Sequence, residues 1–139
     1  MYLTGKRYLW YNENKLKSKI QKSIGSEFEP KEVEFEIIYW RKANAIHKWF
    51  VDNVQNGKDD CGTYEVNKEQ LKSLLKTVND AIHSIEPEKI LPTQSGFFFG
   101  STDYDEGYIE DLITTKEGIE KILNSSELKM LDIQYHSSW

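Results

Sequence analysis

The residues of this chain best suited to chemistry fall in two stretches. In the first, Tyr39–Gln55 (YWRKANAIHKWFVDNVQ), helical spacing of about 100° per residue puts Trp40, Asn44, His47 and Val51 on one line. A neighbouring stripe of Tyr39, Ala43, Ile46, Phe50 and Val54 is apolar, and burial of a surface helix requires only that stripe. The mixed line is therefore more than packing needs. Its His47 can exchange a proton near neutral pH or bind a phosphate; the plainer alternative is a half-buried imidazole satisfied by a carboxylate. Arg41, Lys42 and Lys48 add a cationic flank. An arginine fork matches phosphate or carboxylate, and a Trp face stacks a base; a solvated charged face is the alternative. The second stretch, SGFFFGSTDYDE with Gln94 before it, brings Ser95, Ser101, Thr102, Asp103 and Asp105 to the ends of one expected strand. Such oxygens accept from ribose hydroxyls or an exocyclic amine, or build an Asx-rich turn.

Other chemistries are poorly served. Cys61 follows Asp59 and Asp60, whose charges raise a thiol pKa and weaken a nucleophile. The same loop and His47 match no zinc-ligand spacing, so no metal or cofactor is expected. Nothing reads as a P-loop, GxGxxG or GxSxG motif, and no catalytic residue is assigned.

The elements that must position these residues follow from periodicity. Met1–Asn12 reads as a strand with Gly5 marking a bulge, and Lys31–Glu36 as a short strand. Residues 12–30 fit either a helix or a hairpin arm. The Tyr39–Gln55 helix, about five turns long, ends at Asn56-Gly57. Thr63–Val66 is extended. Asn67 and Gln70 then form a capping box for a helix with the stripe Leu71, Leu74, Leu75, Val78 and Ile82, ended by Pro87. Ile90–Gly100 reads as a buried strand around Phe97–Phe99, Tyr108–Asn124 as a helix with Gly118 as its weak point, and Leu128–Tyr135 as a last strand with one slip in phase. Together these predict an α+β fold: a small mixed, mostly antiparallel sheet packed against about three helices.

At 139 residues, with 38% hydrophobic and 29% charged, the chain fits a single domain, 1–139. Aromatic residues reach 13%, which fills a core or lines a binding surface. A net charge of −5 argues against a general nucleic-acid binder. The single Cys61 suits a reducing compartment, and no apolar run suggests a signal or a membrane span.

YWRKANAIHKWFVDNVQ, followed by NGKDDCG and by LPTQSGFFFGSTDYDE, resembles a family of small uncharacterised proteins of bacteriophages and prophages, as does the opening MYL. The resemblance covers about two thirds of the chain and implies a context, not an activity: a phage accessory protein in the host bacterial cytoplasm. The leading expectation is capture of a small anionic, nucleotide-like ligand such as a host immune signal. Trp40, Arg41, Asn44, His47 and Lys48 would hold its anionic group, and Gln94, Ser95, Ser101, Thr102, Asp103 and Asp105 its polar edges. Two alternatives stay open: a protein–protein inhibitor of a host defence factor, and a nucleotide-processing enzyme using His47. The partner is then a small molecule or a host protein, not a membrane, and a homo-oligomer is compatible with either.

Overall fold

Charged and apolar residues alternate along EVEFEIIY, and β-branched Ile37 and Ile38 carry the extended conformation on to Tyr39. This strand takes up residues that the expected long helix needed. The computed structural model describes residues 1–96 and 100–138, the side chain of Glu127 excepted. Its strands are β1 (Tyr2–Tyr8), β2 (Glu32–Tyr39), β3 (Thr63–Glu65) and β4 (Asp132–His136), and its α-helices are α1 (Asn14–Ile24), α2 (Asn44–Asn53), α3 (Lys68–Ile82) and α4 (Glu106–Asn124). Short 3-10 turns occupy Pro87–Lys89 and Ser126–Met130. The fold is α+β.

The sheet runs β2-β1-β4-β3, and every neighbouring pair is antiparallel. The chain's last strand thus sits in the middle, beside the first. Leu3 lies opposite both Ile38 and Tyr135, which sets the buried face. Ile46 and Phe50 of α2, Leu71, Leu74 and Val78 of α3, and Leu112 and Ile119 of α4 close over that face, all fully buried. Phe50 stacks on Tyr135 with ring centroids 3.8 Å apart and planes 7° from parallel. Among the described residues no helix is long and apolar enough to cross a membrane.

Several boundaries differ from expectation. The Tyr39–Gln55 helix is a strand to Tyr39, a break at Lys42 (φ 63°), and a helix only from Asn44 to Asn53. Periodicity missed the break because apolar residues at a spacing of three to four continue across it. Residues 14–24 are helical, yet the only buried side chain of α1 is Lys17, which pairs with Glu29. The sheet irregularity falls between Leu3 and Thr4, just before Gly5. In the expected Ile90–Gly100 strand, 90–96 and 100 are not strand, while Phe97–Phe99 lie outside the described residues. Leu128–Met130 belong to a 3-10 turn and β4 starts at Asp132, which accounts for the phase slip. Asn67 and Gln70 do form the capping box of α3.

Gly118 is a contact, not a flaw. A Cβ there would stand 2.3 Å from Ile38 Cγ1, so its absence lets α4 lie against β2. Alanine is worth up to about 1 kcal/mol over glycine in a helix, whereas overpacking costs about 1–3 kcal/mol. Gly118→Ala should therefore lower the denaturation midpoint, and this loss should disappear in an Ile38→Ala background. A stabilised Gly118→Ala protein would contradict the contact.

Candidate functional site

The segment joining α3 to α4 is tied to the start of α2 by one buried amide. The Asn44 side-chain oxygen accepts from the Gln94 N–H at 3.2 Å, and its amide donates to the Ser101 carbonyl at 2.6 Å. Both feet of the 94–101 segment thus rest on Asn44. Gly100, at φ 73°, sits against Lys42, where a Cβ would come within 3.2 Å of the Lys42 Cβ. The Thr93 hydroxyl donates to the Thr102 carbonyl at 2.9 Å, and the Thr93 N–H to the Tyr104 hydroxyl at 3.0 Å. The Tyr108 hydroxyl donates to the Leu91 carbonyl at 2.9 Å, and burial pushes that phenol up to about 12. Asp105 caps α4 by accepting from the Tyr108 N–H.

These ties leave a cleft of about 410 Å³ between the β2–α2 junction and the first turns of α4. Trp40 and Leu112 lie at its floor, both nearly or wholly buried. Exposed Arg41 and Lys42 line it together with Asp103, Asp105, Glu110 and Asp111, so cations and carboxylates share one lining. Burial, with Glu110 and Asp105 nearby, pushes the Asp111 carboxyl up to about 6. Near neutral pH it is thus close to the point where it changes from hydrogen-bond donor to acceptor.

Of the residues picked from sequence, Trp40, Arg41, Asn44, Ser101, Asp103 and Asp105 come together at this cleft. The Trp40 indole is not an open stacking face: it donates to Thr115 Oγ1 at 2.8 Å and meets Phe50 edge-on. Gln94, Ser95 and Thr102 do not line the cleft; Gln94 and Thr102 serve through backbone atoms. Lys48 is on the outer side of α2, paired with Asp52 at 2.7 Å.

His47 is the main correction. Fully buried, it lies between the Tyr135 hydroxyl (Nδ1, 2.7 Å) and Asp59 Oδ1 (Nε2, 3.0 Å). The imidazole ties α2 to β4 and to the loop after α2, and it does not reach the cleft. Desolvation lowers its pKa, only partly opposed by Asp59. Among the described residues, no group of three or more His, Cys, Asp or Glu could hold a metal ion.

Sequence reasoning named Lys42 only in the cationic flank and overlooked Tyr108, Glu110 and Asp111 as cleft residues. A signal existed: Gly107, Glu110, Asp111 and Thr114 recur at helical spacing opposite the apolar stripe of α4. The match of Asp59 and Tyr135 to His47 left no such trace, because it depends on tertiary pairing. Compared with protein-family profiles, curated proteins and solved structures, the chain matches none.

Two titrations of opposite sign follow. A histidine whose pKa is lowered on folding supports the fold fully above the unfolded value of 6.5, and that support is lost as pH falls through its folded value. Thermal unfolding across this range should show the loss, and His47→Gln should flatten it while lowering stability. A raised carboxyl behaves inversely: the Asp111 contribution is present below 3.8 and lost as pH rises through about 6. Asp111→Asn should therefore raise the melting temperature above that window and leave it unchanged below. Equal shifts at both ends would contradict the burial assigned to Asp111.

Proposed function

We propose that the cleft binds a small, nucleotide-like ligand without transforming it. Its anionic group would meet Arg41 and Lys42; its hydroxyls or amine would donate to Asp103, Glu110 and Asp111. The observation that carries this is a lining that holds both cations and carboxylates around one cleft of about 410 Å³, within the range of small-molecule sites. A bare anion is a poor fit, since the carboxylates would repel it, whereas a molecule with both an anionic end and a donor-rich end satisfies both kinds of group. Asp111 supports the same view, because a carboxyl perturbed by burial and by neighbouring acids in a cleft is a candidate functional group.

The resemblance to phage proteins supplies the setting we propose: an accessory protein in the host bacterial cytoplasm that withholds a nucleotide signal. The enzymatic alternative rested on His47, which is fully buried and does not line the cleft, and this favours binding over it. The inhibitor alternative draws on a separate observation, the exposed Trp10, Tyr11 and Phe28 around α1, which are 69%, 85% and 84% exposed.

Calorimetric titration with nucleoside monophosphates, nucleosides and inorganic phosphate tests the cleft. The nucleotide should bind more tightly than either part. Arg41→Ala should weaken it about tenfold or more, the scale of one charge-assisted hydrogen bond. Affinity should rise with pH through about 6 as Asp111 becomes an acceptor, and Asp111→Asn should remove that rise. Nucleotide affinity unchanged by Arg41→Ala would overturn the assignment.

A further inference from the structure

β2 is an edge strand. Among the described residues no strand pairs with its outer side, and Glu32, Val33, Glu34, Phe35, Glu36 and Tyr39 are exposed or partly so. Its two faces differ sharply. Glu32, Glu34 and Glu36 stand opposite Tyr8, Lys6 and Thr4 of β1, and strand alternation sets them off from Val33 and Phe35. Lys6, the cation in that row, is shared with Asp132 across the other pairing, so the row keeps excess negative charge.

On the core side, the edge overhangs a groove against α4. One hollow of about 230 Å³ is lined by Phe35, Ile37, Ile122 and Leu131 with Glu36 at it, and a second of about 300 Å³ by Ile38, Tyr39 and Gly118 with Glu117 at it. They share Ile37 and Lys121, and the second shares Tyr39 and Thr114 with the cleft.

We propose that β2 accepts an extended segment of a partner protein as a fifth strand, and that in this segment lysine or arginine alternates with apolar residues. Side chains of an added strand alternate between faces. One set would lie beside Glu32, Glu34 and Glu36, where opposite charges pair favourably across strands. The other would enter the groove over Phe35 and Ile37. A second copy is a poorer occupant, because β2 pairing with β2 about a two-fold axis sets glutamates against glutamates. The site is independent of the ligand assigned to the cleft.

The probe is a labelled, end-blocked peptide alternating lysine and valine over the 8 residues of β2, with a glutamate–valine peptide as control. Fluorescence anisotropy should show saturable binding of the first and none of the second. The double variant Glu34→Lys, Glu36→Lys should weaken binding about tenfold or more. The milder pair Glu34→Gln, Glu36→Gln, which keeps the side-chain shape, should weaken it less. Amide exchange should slow within β2 when the lysine peptide is present. Unchanged affinity in both double variants, or slowed exchange elsewhere, would overturn the proposal. So would self-association of the lysine variant with peptide affinity intact, since the glutamates would then only keep copies apart.

Discussion

The structure depends on one desolvated group, the side chain of Tyr135. Its ring lies flat on Phe50 and tilted against Trp40, and its hydroxyl meets His47. A phenol this deep must keep a hydrogen-bond partner, since a buried unpaired hydroxyl costs about 1–3 kcal/mol. Burial also pushes the phenol well above its ordinary range, so it stays neutral. His47 meets that requirement together with the side chain of buried Ser137. His47 in turn needs a partner for its second nitrogen, and Asp59 supplies it from the loop after α2. Sheet, helix and loop are thereby locked to one another by polar contacts inside an aromatic cluster.

This lock places the cleft. Once Phe50 and His47 fix α2 on the sheet, the residues just before it, Arg41 to Asn44, have little freedom. Lys42 takes a left-handed conformation, which turns the chain from strand to helix and leaves Arg41 and Lys42 at the surface. Asn44 then holds the 94–101 segment from below. Glu110 and Asp111 come from α4, whose position is set by Gly118 on Ile38 and by Thr115 under the Trp40 indole, while Asp103 and Asp105 come from the loop that leads into it.

Much of this was legible in the sequence where local rules dominate. The capping box at Asn67 and Gln70 and the apolar stripe of α3 needed no tertiary information. So did the coarse α+β character. The strand-to-helix switch at Lys42 was not legible, because helical and strand patterns overlap across Ile37–Trp40. Asn44 and His47 were picked out correctly as unusual on a largely apolar helix, but their partners are 50 and 88 residues away. Their tasks, bracing a segment and satisfying a phenol, are fixed only by the tertiary fold. The half-acidic character of the cleft was missed for a similar reason: Glu110 and Asp111 read as the solvated side of a helix until that side faces a second wall.

The most direct measurement is native mass spectrometry of the protein purified without denaturation from a bacterial host, with Arg41→Ala prepared in parallel. A single non-covalent adduct of nucleotide-like mass should be present in stoichiometric amount. It should be released on denaturation and strongly reduced in Arg41→Ala. An adduct of equal occupancy in both proteins would place the ligand elsewhere on the molecule and contradict the cleft.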